Sequence, residues 1–232
     1  MDIVFTHKTQ SGYREFADPV KRIQVGVESV VPDTNEDIGR IASVRSQLLL
    51  KSKDVTSRGV TVAGEMDTVL LYITENENSI ASLKLHREFS LDYDLGEIPP
   101  DTMAQIRLSV SNTEARILNP RKVAVLVEIL GELRCYCREE IAVETEVPAE
   151  AGALLHCKID SEETTIINGV CEKTFVLNEQ YSFPEGKDAP VELVSQSVDF
   201  TIEDLQQVGS RVVVKGTVFT DLSYRPENGS YP

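Results

Sequence analysis

Three histidines, four cysteines and an acid-rich turn are the residues of this 232-residue chain with the means to do chemistry. His7, His86 and His156 stand far apart, and the chain has no nucleophile elbow, no His-Glu-x-x-His string and no phosphate-binding loop. Cys135 and Cys137 are two residues apart, which on a strand puts both on one face about 7 Å from each other. Cys157 and Cys171 flank another predicted hairpin, with His156 beside the first. Reduced buried thiols, disulfides and a zinc site all stay open, although Cys-x-Cys without Cys-x2-Cys knuckles is a poor zinc spacing. Asp33, Asn35 and Asp37 in DTNEDIG have the alternating oxygens of a calcium loop. The glycine comes one position late, at Gly39, and the twelfth position is Val44 instead of glutamate, so the reading is a solvated turn and helix N-cap. A pair of glycosidase-type carboxylates is set by spatial separation, and nothing among the 38 acids singles one out.

The elements that must position these residues read as strands. From Val123 to Cys137 every odd position is apolar or glycine, which is period two, with Gly131 marking a bulge, a bend or a change of sheet. His86 falls on the polar face of 83–95, where Leu83, Leu85, Phe89, Leu91 and Tyr93 make the apolar face, so it is expected to be exposed. Ile106, Leu108 and Val110 alternate with polar residues, and 60–72 and 212–224 add two more strands. Turn signals at 76–78, Pro99-Pro100, Asn119-Pro120, Glu185-Gly186 and Asn228-Gly229 separate them. One short helix per unit is expected, near Glu36–Ile41 and near Pro190–Val194.

Sliding the chain against itself by 152 positions aligns 59–76 with 211–228 without gaps. Val60, Val62, Gly64, Thr68, Leu70 and Tyr72 meet Val212, Val214, Gly216, Thr220, Leu222 and Tyr224. Across 31–76 against 183–228 there are ten identities in 46 positions. Gly64 and Gly216 within the apolar row imply a bulge or a close backbone approach, and Tyr72 and Tyr224 can bury a ring while the hydroxyl reaches a backbone partner. The expected organisation is a first β-rich unit over 1–150 and a second, incomplete one over 151–232, lacking what corresponds to 83–137. The fold class is all-β, as tandem antiparallel sandwich-like repeats. The expectation is that either the natural chain continues, or the second unit is completed by strands from elsewhere through an open sheet edge.

The prolyl turns VPDTNED and FPEGKDA, the V-x-V-x-G row ending in tyrosine, and the ILNPRKVAVLVEIL segment resemble the repeated domain of clostridial spore-coat morphogenesis proteins of the SipL type. That resemblance covers 20–140 and 170–230. It implies no catalytic residues, no cofactor and a structural role; the LysM glycan-binding module that often follows such repeats is not present. The expected function is therefore a non-enzymatic assembly component of the bacterial endospore envelope, partnering itself or other envelope proteins. A polymerising fibre subunit is the alternative, and a carbohydrate-active hydrolase or glycan-binding module is the alternative of another class.

Composition agrees with that direction. Lys and Arg total 23 against 38 Asp and Glu, a net charge of −15 that argues against nucleic acid as a partner. Trp is absent and aromatics are 6%, which leaves little material for sugar stacking. No apolar run is long enough for a membrane span, and the first residues do not read as a secretory signal, so synthesis in the cytosol and residence at the spore surface is the expectation.

Overall fold

The structure, a computed structural model, describes residues 6–76, 79–146, 163, 165–174, 176–180, 182 and 190–226. These residues form nine strands and no helix: β1 (Thr6–Ala17), β2 (Val20–Val30), β3 (Ile38–Val55), β4 (Gly59–Thr74), β5 (Ile80–Asp94), β6 (Met103–Asn119), β7 (Lys122–Glu146), β8 (Pro190–Val208) and β9 (Arg211–Pro226). All pairings are antiparallel.

β7 is the spine of the first sheet. β6 pairs along one edge, while β2 and then β1 follow each other along the other, β2 to 122–132 and β1 to 135–146. The second sheet runs β3-β4-β5. The period-two pattern dictates the shared core. Val123, Val125, Val127, Ile129, Leu133 and Cys135 of β7 are buried against Val60, Val62, Met66, Leu70 and Tyr72 of β4, with Leu91 of β5. At the seams β2 lies beside β5 and β3 beside β6. Two lysines bridge them: Lys21 Nζ donates to the Asp92 carbonyl at 2.6 Å, and Lys53 Nζ donates to the Ala104 carbonyl. Each satisfies a backbone acceptor at a sheet edge.

Gly131 causes no register shift in either ladder of β7. A Cβ there would sit 2.4 Å from the Tyr93 hydroxyl and 2.7 Å from Leu91 Cδ1, so the glycine makes room for β5 across the core. The change of partner from β2 to β1 follows just beyond it.

Both expected helices are absent. Asp37 gives its carboxylate to Arg121 and not to a helix cap, and the Ile38 N–H donates to the Pro120 carbonyl at 2.8 Å, which starts β3. Pro190–Val194 opens β8, paired to β9.

β8 and β9 form a separate two-stranded sheet. β3 shifted by 152 begins where β8 begins, and β4 shifted by 152 has the limits of β9. Register shifts fall at Ile38/Arg40, Ile41/Ser43 and Leu50/Ser52 in β3, and at Pro190/Glu192, Leu193/Ser195 and Ile202/Asp204 in β8, each pair 152 residues apart. Residues 165–174 and 176–180, which by the same offset correspond to the end of β1 and to β2, form no ladder beyond one bridge from Ile167 to Tyr13. In the first copy β1 and β2 both pair with β7, and among the described residues nothing takes that place for the second copy.

Candidate functional site

The first prolyl turn, the tyrosine that the two internal copies share and the Asn-Pro-Arg-Lys segment meet in space. Arg121, at the β6–β7 turn, is wrapped by residues 31–37. Its Nη2 donates to the carbonyls of Val31 (3.1 Å) and Pro32 (2.9 Å), and its Nη1 to the Asp37 carboxylate at 2.6 Å and the Asn35 carbonyl at 3.4 Å. The backbone completes the joint, with Val31 N–H donating to the Arg121 carbonyl at 2.9 Å and Arg121 N–H to Asn119 Oδ1 at 2.9 Å. Tyr72, fully buried at the end of β4, aims its hydroxyl at the Glu36 carbonyl through a long 3.4 Å hydrogen bond. Burial raises the Tyr72 pKa, opposed by a side-chain hydrogen bond from Asn35 and by the charge of Arg121. Of the side-chain oxygens that looked like a calcium loop, those of Asp33 and Asp37 are turned on a guanidinium, whose planar fork suits carbonyls and carboxylates at once. This is a structural joint closing one end of the two sheets.

Gly64 and Gly216 sit opposite the third register shift of their hairpins, facing Leu50 and Ile202. A Cβ on Gly64 would meet the Phe89 ring at 2.4 Å and the Leu49 carbonyl at 2.9 Å; on Gly216 it would meet the Thr201 carbonyl at 2.5 Å. Leu49 and Thr201 are themselves 152 apart. Tyr224 is half-buried, at the hairpin end near the first unit.

Cys135 and Cys137 share the buried face of β7 as free thiols, and Cys171 is a free, exposed one. Cys157 and His156 lie outside the described residues. Burial raises the Cys135 pKa against the opposing charge of Lys53, so the thiol stays protonated and poorly nucleophilic. Lys53 itself is engaged, pairing with Glu172 at 2.5 Å as well as with the β6 edge. Among the described residues no cluster of three or more His, Cys, Asp or Glu is placed to hold a metal ion, and no helix is long and apolar enough to cross a membrane.

His86 is exposed on β5 and its Nδ1 lies 2.8 Å from Asp67 Oδ1, a hydrogen bond that raises its pKa. Both side chains stand in solvent at the rim of an open groove of about 630 Å³ between the outer face of the second sheet and the β8–β9 hairpin. Arg45 spans the groove, donating to Ser197 Oγ at 2.8 Å, again a pair 152 apart. A His–Asp pair this exposed in an open groove lacks the deep burial that tunes catalytic groups.

The hairpin's two faces differ. Opposite pairs Val198/Thr220, Phe200/Val218, Ile202/Gly216 and Leu205/Val214 make one face; Ser197/Asp221, Asp199/Phe219, Thr201/Thr217, Asp204/Lys215 and Gln206/Val213 make the other, which is mostly polar. The polar face carries the Arg45 contact, and the apolar face stands in water. Val214, Val218 and Leu222 are 57%, 41% and 38% exposed, where their counterparts Val62, Met66 and Leu70 are each at 0%. Sequence alternation finds both faces; that one of them stays uncovered is visible only in the fold. Comparison with protein-family models, with curated proteins and with solved structures finds no match for the chain.

Proposed function

We propose that this protein is a non-enzymatic structural subunit, acting through protein–protein contact in the assembly of a bacterial endospore envelope. The observation that carries the reading is the β8–β9 hairpin, a copy of β3–β4 whose apolar face, buried in the first copy, is open in the second. Contiguous apolar surface of this kind marks an interaction site. The sporulation setting is supported by the sequence resemblance alone; of its quoted motifs, VPDTNED, the tyrosine ending the first V-x-V-x-G row and the Asn-Pro-Arg-Lys segment meet around Arg121, and FPEGKDA lies outside the described residues.

Light scattering and negative-stain imaging of the purified chain over a hundredfold concentration series test the reading. The expected result is association that grows with concentration. A chain that stays monomeric throughout and hydrolyses a member of a polysaccharide panel would replace it with the hydrolase alternative. Antibody labelling of sporulating cells tests the setting, with label expected at the spore periphery. Among the described strands β9 pairs with β8 alone, which also favours a fibre-forming version of the same role, since an open strand edge templates addition of further strands.

A further inference from the structure

We infer that the occupant of the exposed hairpin face is the same face of a second copy of this chain, the two β8–β9 hairpins packing face to face about a two-fold axis. The inference rests on the assembly reading above and specifies its contact.

The comparison within the molecule argues for this occupant. In the first copy the face is covered by the β7-centred sheet, and two of its positions are polar. Ser46 is hydrogen-bonded to Thr68 (2.7 Å between hydroxyl oxygens), and Lys53 crosses the seam to the β6 carbonyl. Their counterparts are Val198 and Leu205, 54% and 64% exposed. The second face therefore carries Val198 and Leu205 in place of a serine and a lysine, and its polar side chains there, Gln196 and Gln207 in place of Val44 and Val55, are uncharged. Phe200, 74% exposed, stands at its centre. A face with no charge along its middle lets chains of net charge −15 meet without opposing like charges directly there.

Geometry and size agree. Two strands of about 16 residues present a surface of about 50 Å by about 10 Å, roughly 500 Å² per copy and about 1,000 Å² for the pair, at the lower bound for a specific interface. An isologous contact lets each hairpin cover the other, as one sheet covers another in a sandwich. The buried apolar residues of β4, β5 and β7 already share the core of the first unit, so they are not free to cover the hairpin. The polar face remains on the side of Arg45, compatible with the intramolecular contact.

The alternating residues provide the test. Phe200→Asp and Val218→Asp place a charge on the apolar face, whereas Phe219→Asp places one on the opposite face, where Phe219 is also exposed. By light scattering, the first two are expected to weaken association by roughly a hundredfold or more and the third to change it less than about threefold. Thermal melting and far-ultraviolet circular dichroism of all three should match the parent, since none of these residues lies in the shared core. In a Cys157→Ser, Cys171→Ser background, Val218→Cys, at the centre of the face, should form a disulfide-linked dimer on mild oxidation, and Phe219→Cys should not. Association that survives both apolar-face charges runs through another surface, such as the β9 edge or a further protein strand; it overturns this inference and leaves the assembly reading standing. A strict monomer overturns both.

Discussion

Arg121 gathers a turn that has no regular structure of its own. Removing its side chain leaves the Val31 and Pro32 carbonyls and the Asp37 carboxylate without their donor, and hydrogen bonds to charged groups are among the stronger ones. Arg121→Ala is expected to lower unfolding free energy by about 2–3 kcal/mol in urea titration, and Arg121→Lys to recover less than half, because an ammonium cannot serve the same fork of acceptors. Tyr93 offers a pH-dependent counterpart. Its hydroxyl donates to the Gly131 carbonyl at 2.9 Å in the core, and burial pushes its pKa up to about 12 from 10.0. A pKa higher in the fold means the protonated phenol is the form the fold favours. That contribution is complete below pH 10, and is lost as pH rises from about 10 through about 12. Stability should therefore fall across that window, with late phenolate absorbance that disappears in Tyr93→Phe. The same variant should cost about 1–2 kcal/mol at neutral pH through the lost hydrogen bond. A sequence reader sees Asn-Pro-Arg-Lys and the acidic turn as separate motifs. Their union depends on a tertiary approach spanning 84 residues, which no local spacing encodes.

The strands were legible because each buries one face, so polarity alternates along Val123–Cys137 and Leu83–Leu95 as the pleat requires. The short helices were misread for a reason at the same scale. Acidic residues before an apolar one look like a helix start, but Asp37 is claimed by Arg121 and the following Ile38, Ile41 and Val44 are stiff β-branched residues that fit a pleated ladder. Gly64 and Gly216 compare one element in two surroundings. In both hairpins the glycine faces a bulge whose carbonyl a Cβ would strike. Gly64→Ala must also displace the Phe89 ring within the core, and is expected to destabilise the main unfolding transition by about 2–3 kcal/mol. Gly216→Ala should leave that transition within about 0.5 kcal/mol, the usual range for a site outside the core. Its effect should appear as weaker self-association, because a distorted bulge tilts the apolar face. Calorimetry and light scattering on the two variants separate the outcomes, and a main transition equally lowered by both would mean that β8–β9 folds as part of the first core.

At the scale of the whole molecule, attraction through one apolar face competes with repulsion between two bodies of charge −15. The hairpin does not escape that field: the sequences of β8 and β9 carry five acidic residues against the three basic ones Arg211, Lys215 and Arg225. Salt acts on the two forces differently. Between 0.1 M and 1 M the screening length shrinks from about 10 Å to about 3 Å, which removes most repulsion between solvent-exposed charges. The apolar contact is not weakened by screening, because it depends on area removed from water. Self-association should therefore tighten as NaCl rises over that range, by about tenfold in the dissociation constant, with the steepest change at low salt. An interface built on ion pairs between copies would move in the opposite direction, since screening weakens attraction between opposite charges as it does repulsion between like ones. Sedimentation equilibrium at four salt concentrations gives the sign directly. Association that weakens with salt would place the contact on the charged surfaces of the molecule, and would remove the apolar hairpin as the surface that draws two chains together.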